Sequence, residues 1–516
     1  MPNFAPSMQT NSKQIKSALI SVYHKDNLEA IVRLLNTYGV TLYSTGGTLK
    51  FISDLGIEVT AVESTTGFPE ILGGRVKTLH PNIFGGILAR RDHAEDIKQL
   101  ETHNIHTIDL VIVDLYPFEE TLKTSTDEAE IIEKIDIGGI SLIRATAKNF
   151  NDTLIVSDRN QYADFIQLLE DKKGSTDIED RQSFAAKAFM TSSHYDTAIF
   201  NYFNLKTGLP AFKQSFNSSK VLRYGENPHQ KGTFYGNLNE VFEILHGKEL
   251  SYNNLVDVEA SLNLIAEFTE PTFAIMKHTN SCGLASRDNL RDAYLAAFAC
   301  DTTSAFGGVL ACNRTIDADT AKEMNTLFFE VITAPDYTPE ALEILKQKKN
   351  RIVLKLNNNP KNKTMFKSLL NGVLLQDTDW SSEKKDDFNA VTVAKPSTEQ
   401  LSDLEFAIKA VKHLKSNGIT LVKNKQLIGM GCGQTSRVDA LESAIKKAAA
   451  FGFDTKGAVM ASEAFFPFPD CVILSHQAGI TAIAQPGGSI KDQESIDEAN
   501  KNAQAMVLTG IRHFKH

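Results

Sequence analysis

The stretch "MKHTNSCG" at residues 276–283 sets Lys277 beside His278, with Asn280, Ser281 and Cys282 close behind. Four readings fit such a set: a metal site, a cysteine nucleophile with its base, a general acid/base pair, or a polar strand end. The metal reading fails first. The chain has no Cys-x-x-Cys and no His-x-Glu followed by Pro-Cys-x-x-Cys, and one His and one Cys make a poor zinc site. Nothing in the sequence holds Cys282 as a thiolate, so a small packed thiol is the better description. The acid/base reading carries a geometric condition. Adjacent side chains on a regular strand point to opposite faces, so Lys277 and His278 reach one pocket only where the chain bends. The apolar run "FAIM" stops just before them, at an expected strand end.

A second set lies near the N-terminus. Ser44, Thr45, Gly46, Gly47 and Thr48 fall between a strand and a helix, where backbone N–H groups and hydroxyls can cradle a phosphate; a tight turn that needs glycine is the alternative. Walker A spacing is absent. "GGRVKTLHPNIFGGILARR" (73–91) carries Arg75, Lys77, His80, Arg90 and Arg91 without an acidic residue, either a positive field for an anionic substrate or a basic surface loop. Pro81 and the glycines favour a loop. Tyr116 is expected to end a buried strand before Pro117, Asp136 precedes Gly138 and Gly139, and Lys148 lies on the helix those glycines open. Taken singly, each also fits a structural role: a core edge, a cap and a solvated helix face.

The elements that position these residues follow from periodicity. Strand and helix patterns alternate over residues 1–160: "SALISVY", the helix "DNLEAIVRLLNTYG" with Asp26 as N-cap and Gly39 as stop, "VTLYS", "DLVIVDLYPF" and "TLIVS". That alternation implies an α/β fold with a doubly wound parallel sheet. Residues 161–215 read as a polar helical connector. From 216 to 516 the alternation resumes, with strands expected at "PTFAIM", "GGVLAC", "FFEVITA", "NGVLLQ", "QLIGMGCG" and "CVILS". The glycine-rich returns "SAFGGVLAC" and "LIGMGCG" permit two related halves, and the run at 346–364, rich in Lys and Asn, reads as a solvated loop or hairpin or else a basic contact surface.

Composition sets outer limits. A chain of 516 residues suggests two to four domains, and a net charge of −9 disfavours nucleic acid and anionic membrane as partners. The five cysteines, Cys282, Cys300, Cys312, Cys432 and Cys471, form no disulfide pattern, the N-terminus lacks a secretory signal, and no apolar run is long enough to span a membrane. A cytoplasmic location is expected.

The motifs "STGGT", "GRVKTLHP", "DLYPF", "DIGGISLIRATAKN", "LRYGENPHQ", "MKHTNSCG", "SAFGG", "GCGQTSRVDA", "EAFFPFPD" and "RHFKH" occur in one order. In that order the chain resembles, over nearly its whole length, the bifunctional purine biosynthesis proteins, which join IMP cyclohydrolase to AICAR formyltransferase. The resemblance implies a methylglyoxal-synthase-like N-terminal domain and a C-terminal region of tandem cytidine-deaminase-like α/β domains. It implies AICAR and formyl-AICAR as substrates, 10-formyltetrahydrofolate as co-substrate, no zinc, a homodimer with transferase sites shared between subunits, and room for a monovalent cation. For cyclisation it implies Lys77, Tyr116, Asp136 and Lys148 as the catalytic group, with Ser21, Lys25, Ser44, Thr45, Gly46, Gly47 and Thr48 on the phosphate and Arg75 and Thr78 on base and phosphate. Asp114 stands where the family usually has Asn. For formyl transfer it implies His278 as base on a weak aromatic amine, Lys277 at the oxyanion or the departing folate nitrogen, and Asn424 on the formyl oxygen. The implied binders are Arg223, Tyr224, Phe306, Gly307, Arg437, Phe465, Asp470 and Arg512.

Overall fold

The computed structural model describes residues 12–359 and 361–516, so the leader reading of residues 1–11 and the place of Pro360 lie outside the described residues. The chain forms two compact units, Met1–Asn217 and Ser218–His516.

In the first unit, strand β1 (Ser17–Ser21) buries Ala18, Leu19 and Ile20 on both faces, as a central strand of a parallel sheet must. Helix α1 (Leu28–Thr37) buries Leu28, Ile31, Val32 and Leu35, a single 3.6-residue stripe. Its N-cap position is Asn27 in the left-handed conformation, not Asp26, while Gly39 at φ 71° ends the turn as expected. Then come β2 (Thr41–Ser44), α2 (Gly46–Asp54), β3 (Thr60–Ala61), α3 (Pro81–Leu88), β4 (Leu110–Val113), α4 (Gly138–Lys148) and β5 (Leu154–Val156). The five strands are all parallel, in the order β3-β2-β1-β4-β5. Chain direction across the sheet therefore reverses at β1, and a crevice opens beyond the carboxyl ends of its neighbours.

Several local expectations change. The loop expected over 73–91 ends at His80, because Pro81 takes the first helical position of α3, where its missing N–H costs nothing. Strand β4 stops at Val113, short of Pro117. The residues read as a connector are part of the first unit: α5 (Tyr162–Asp171) and α6 (Ile178–Thr207) send Phe165, Leu169 and Phe184 into one core layer beside the sheet, and Ala185 and Ala188 into another. Their buried apolar positions are few among polar and charged residues, which left the composition looking polar.

The second unit is built on a twelve-stranded mixed sheet that has β6 (Phe242–His246) at one edge and holds two copies of one pattern. The first copy runs α7 (Tyr252–Ile265), β7 (Thr272–Lys277), β8 (Asn280–Ser286), α8 (Leu290–Cys300), β9 (Gly308–Cys312), α9 (Ala318–Met324), β10 (Phe329–Ala334), α10 (Pro339–Lys346) and β11 (Ile352–Leu356). A ribbon intervenes, β12 (Thr364–Leu369) with β13 (Gly372–Asp377), exposed at every position. The second copy runs α11 (Thr398–Lys412), β14 (Ile419–Lys423), β15 (Gln426–Gly431), α12 (Arg437–Ala450), β16 (Val459–Ser462), α13 (Asp470–Gln477), β17 (Ala482–Gln485), α14 (Asp492–Lys501) and β18 (Ala505–Leu508). Strand order β11-β10-β9-β7-β8 is mirrored by β15-β14-β16-β17-β18, and the halves meet through an antiparallel contact, Ala285 opposite Gln426.

Even the irregularities repeat. Both hairpins slip register at one place, after Ile275↔Gly283 in the first and after Leu421↔Gly429 in the second. At both glycines the helix passes so close that a Cβ would lie 2.2 Å from the Ala297 carbonyl oxygen or 2.3 Å from that of Ala444. The tandem α/β arrangement implied by the resemblance is thus present, but its matching segments are the two hairpins and their helices, not "SAFGGVLAC" with "LIGMGCG". "CVILS" is helical, inside α13, and the run at 346–364 contains a core strand, with Ile352, Val353 and Leu354 fully buried. "NGVLLQ" is a strand of the exposed ribbon, outside the large sheet. Among the described residues no helix is long and apolar enough to cross a membrane.

Candidate active sites

In the first unit the segments leaving β1, β2 and β4 surround a cavity of about 650 Å³. Ser21 and Lys25 follow β1, Thr45 to Thr48 open α2, and Asp114 and Tyr116 follow β4; Arg75, Lys77, Thr78 and Asp136 complete the wall. Two helix N-termini, at Gly46 of α2 and Gly138 of α4, face the same space and favour negative charge there. Lys77 hangs over the first: a Cβ on Gly46 would stand 3.5 Å from its Nζ. Lys77 is also held by Glu70 at 3.0 Å, and Arg75 is closed onto Glu133.

Not every residue of the expected set faces the cavity with its side chain. The Ser44 hydroxyl is buried and donates to the Ile20 carbonyl at 2.7 Å, and that of Thr48 donates to the Val22 carbonyl at 2.9 Å. The first ties the end of β2 to β1 and the second ties α2 to the residue after β1, leaving the backbone N–H groups and the Ser21–Thr45 hydroxyl pair, 3.3 Å apart, for an anion. Arg90 pairs with Asp96, and Arg91 donates to the Gly86 and Ile108 carbonyls, so neither adds to the positive field of the cavity. Lys148 sits exposed at the far end of α4, about 15 Å from the helix start that lines the cavity.

Burial tunes the groups that remain. Desolvation lowers the Lys25 pKa and raises that of Asp136; Tyr116 is raised by desolvation and then by the Asp136 charge, with Lys77 acting against both. Asp136 is anchored twice: its carboxylate accepts from the Gly139 N–H at 2.6 Å, and its own N–H donates to Tyr195 Oη at 2.8 Å. Tyr195, on α6, also donates to the Lys134 carbonyl at 2.6 Å. Sequence reasoning missed it, since nothing in an amphipathic helix marks one tyrosine as the support of a distant loop. Asp114 has a clear local role: it accepts from the backbone N–H groups of Tyr23 and His24, the latter at 2.9 Å, and meets His24 Nδ1 at 2.8 Å. A carboxylate offers two acceptor oxygens for this task, where an amide offers one.

In the second unit "MKHTNSCG" bends sharply. Lys277 pairs with Asn280 as the last rung of β7–β8, and His278 and Thr279 form the two-residue turn, both at positive φ (52° and 64°), the pattern of a type I′ hairpin. The bend that the Lys–His pair requires is therefore present. His278 is exposed at the tip, and Lys277 Nζ donates to the Phe306 carbonyl at 2.7 Å beside Gly307, where a Cβ would stand 3.4 Å from it. Lys277, Phe306 and Gly307 thus form one cluster beside the turn that carries His278, with Phe306 61% exposed and its ring 5.0 Å from that of Phe328. Cys282 is buried, its Sγ donates to the Ile275 carbonyl, and burial pushes its thiol up to about 12. It packs.

Asn424 occupies the matching place in the other hairpin. Lys423 pairs with Gln426, and Asn424 and Lys425 form the turn at φ 53° and 51°. The halves join antiparallel, with Ala285 opposite Gln426, so this turn lies near the far end of β8. From Asn280 to Ala285 the strand rises about 17 Å. Within one chain, Asn424 is held away from Lys277 and His278.

The remaining expected binders divide. Arg223 lies exposed over the Tyr224 ring, 4.8 Å away, and Arg512 over Phe514 at 4.4 Å. Phe465 is half-buried, and Asp470 opens α13 with its carboxylate on the Cys471 N–H. Arg437 is different. It is buried and donates to Glu463 at 2.6 Å, to Ser462 Oγ at 3.0 Å and to Asn417 Oδ1 at 2.9 Å, an internal network that occupies its guanidinium.

Two family models match the chain: MGS-like domain over residues 27–141 and AICARFT/IMPCHase bienzyme over residues 146–447. The bifunctional purine biosynthesis protein PurH of Bacteroides thetaiotaomicron is 57% identical over 507 residues, covering 98% of this chain and 100% of that protein. Its counterparts in Acetivibrio thermocellus and Persephonella marina are 49% and 46% identical, each covering 97% of this chain and 100% of theirs. With the parallel-sheet cavity of the first unit and the paired hairpins of the second, these matches show that the chain belongs to the AICARFT/IMPCHase bienzyme family of bifunctional purine biosynthesis proteins.

Proposed function

We propose that the chain transfers a formyl group from 10-formyltetrahydrofolate to AICAR and closes the resulting formyl-AICAR to IMP with loss of water, as a cytoplasmic homodimer. The observation that carries the cyclohydrolase half is the convergence of Lys25, Lys77, Tyr116, Asp136 and two helix N-termini on one cavity. The ribotide phosphate sits at the start of α2, against the Gly46 and Gly47 N–H groups and Lys25. Arg75 leaves Glu133 to reach the ligand. Ring closure is intramolecular, so holding the formyl carbon against the carboxamide nitrogen removes most of the barrier. Lys77 stabilises the oxyanion formed at that carbon, and Tyr116 and Asp136 exchange the protons that allow water to leave.

In the transferase half His278 takes the proton from the amine of AICAR as it attacks the formyl carbon. Lys277 stabilises the tetrahedral oxyanion or protonates the departing folate nitrogen. Asn424 orients the formyl oxygen. Because Asn424 lies about 17 Å along the sheet from Lys277 in its own chain, the Asn424 that serves each site comes from a second copy. The exposed ribbon supports such a copy: Met365, Leu369, Leu370, Val373, Leu374 and Leu375 are apolar and exposed along it. An assay with AICAR and 10-formyltetrahydrofolate, following tetrahydrofolate and IMP separately, tests the function. Formation of both supports it, and formation of neither overturns it.

A further inference from the structure

Each of the two functional turns carries an ill-suited residue at its second position, Thr279 or Lys425. A type I′ turn needs positive φ at both central positions, which Asn-Gly supplies with little strain. Here the pairs are His278-Thr279 and Asn424-Lys425, and a β-branched threonine at φ 64° is an outlier in that region. Something outside each hairpin must hold the turn closed. In the first repeat Asp257, on α7, accepts the Thr279 N–H at 2.7 Å, and the His278 N–H faces the same carboxylate. In the second, Asp403, on α11, accepts the Asn424 N–H at 2.8 Å and the Lys425 N–H at 2.7 Å. Each carboxylate stands on the helix that precedes its hairpin, at the same place in the repeat. Each is partly buried, and desolvation raises the pKa of both, so placing a charge there has a cost that the turn contacts offset.

We infer that Asp257 and Asp403 are positioning residues of formyl transfer, duplicated in the two repeats: each clamps the strained turn that presents His278 or Asn424. The inference rests on the roles given above to those two residues. The clamp acts through backbone hydrogen bonds: at Asp257 an amide oxygen can keep the Thr279 N–H bond, whereas at Asp403 the two oxygens each take one N–H, so an amide keeps one bond and loses the other, and alanine loses them all. A misplacement of the order of an ångström in a catalytic side chain costs about 100-fold in rate, and a loosened turn tip moves His278 by that order.

The test measures formyl-transfer kcat, KM for AICAR and melting temperature for Asp257→Ala, Asp257→Asn, Asp403→Ala and Asp403→Asn in the full chain. Both alanine variants are expected to lose about tenfold or more in kcat with KM for AICAR and melting temperature little changed, Asp257→Asn to recover most of that loss and Asp403→Asn only part of it. Wild-type kcat in the alanine variants, or Asp257→Asn as impaired as Asp257→Ala, overturns the clamp. His278→Ala measured alongside separates two failures. If His278→Ala is active, the assignment of His278 is wrong; if it is inactive while Asp257→Ala is fully active, only the positioning role falls.

Discussion

The cavity of the first unit and the hairpin pair of the second solve the same problem in opposite ways. Around the cavity, parallel strands deliver Lys25, Thr45 and Tyr116 from successive carboxyl ends, so a single chain gathers its whole set at one switch point. In the second unit a duplicated hairpin produces two functional tips, and the antiparallel join between the repeats sends them to opposite ends. Duplication copies the scaffold, including the slipped register and the close-packed glycines, and then diverges at the tip, His278 in one copy and Asn424 in the other. On the proposed reading, a parallel sheet concentrates a site within a chain, whereas an internal pseudo-twofold disperses it and calls for a second chain.

Crossed variants break this comparison most strongly. Lys277→Ala should reduce formyl transfer by about 100- to 1,000-fold while cyclisation of supplied formyl-AICAR stays intact, and Lys77→Ala should do the reverse. Loss of both activities in either variant, with the fold retained, would show that the two sites do not work separately. A smaller effect sharpens the role of α6. Tyr195→Phe removes the hydroxyl between the Asp136 N–H and the Lys134 carbonyl, and cyclisation should fall about tenfold with formyl transfer unchanged. Unchanged cyclisation would mean that Asp136 is held without it.

The smallest effect concerns stability. Burial raises the Asp136 pKa in the folded unit. A raised carboxyl favours the folded state fully below its unfolded value, and that contribution is lost as pH rises through the folded one. Asp136→Asn should therefore melt above the parent at neutral pH, and the gap should narrow as pH falls towards the ordinary Asp range. A variant that melts lower at neutral pH would contradict the burial cost, even though its cyclisation is expected to fail.

Much of both sites was legible in the sequence, and the limits have physical causes. "STGGT" marked the strand-to-helix turn that lines the cavity, because glycines between a strand and a helical pattern signal a tight turn. Residue type did not tell that the Ser44 and Thr48 hydroxyls are spent on the Ile20 and Val22 carbonyls. Lys148 sits in a family motif, but the length of α4 carries it away from the cavity. "CVILS" is as apolar as a strand, and an apolar run this short does not distinguish strand from buried helix. Arg437 carries a charge suited to a ligand, yet Glu463, fully buried beside it, claims that charge. The separation of Asn424 from Lys277 could not be read at all, because it follows from how two hairpins pair, not from order along the chain.

The most direct test mixes two inactive proteins. Lys277→Ala and Asn424→Ala chains are each expected to fail in formyl transfer alone, and co-expression or subunit exchange brings them together. If each transferase site takes Lys277 from one copy and Asn424 from the other, a mixed dimer has one intact site, and the randomly mixed population should regain about a quarter of wild-type activity. If the mixture stays inactive while mixed dimers are shown to form, Lys277 and Asn424 do not meet across two copies and the shared site is wrong.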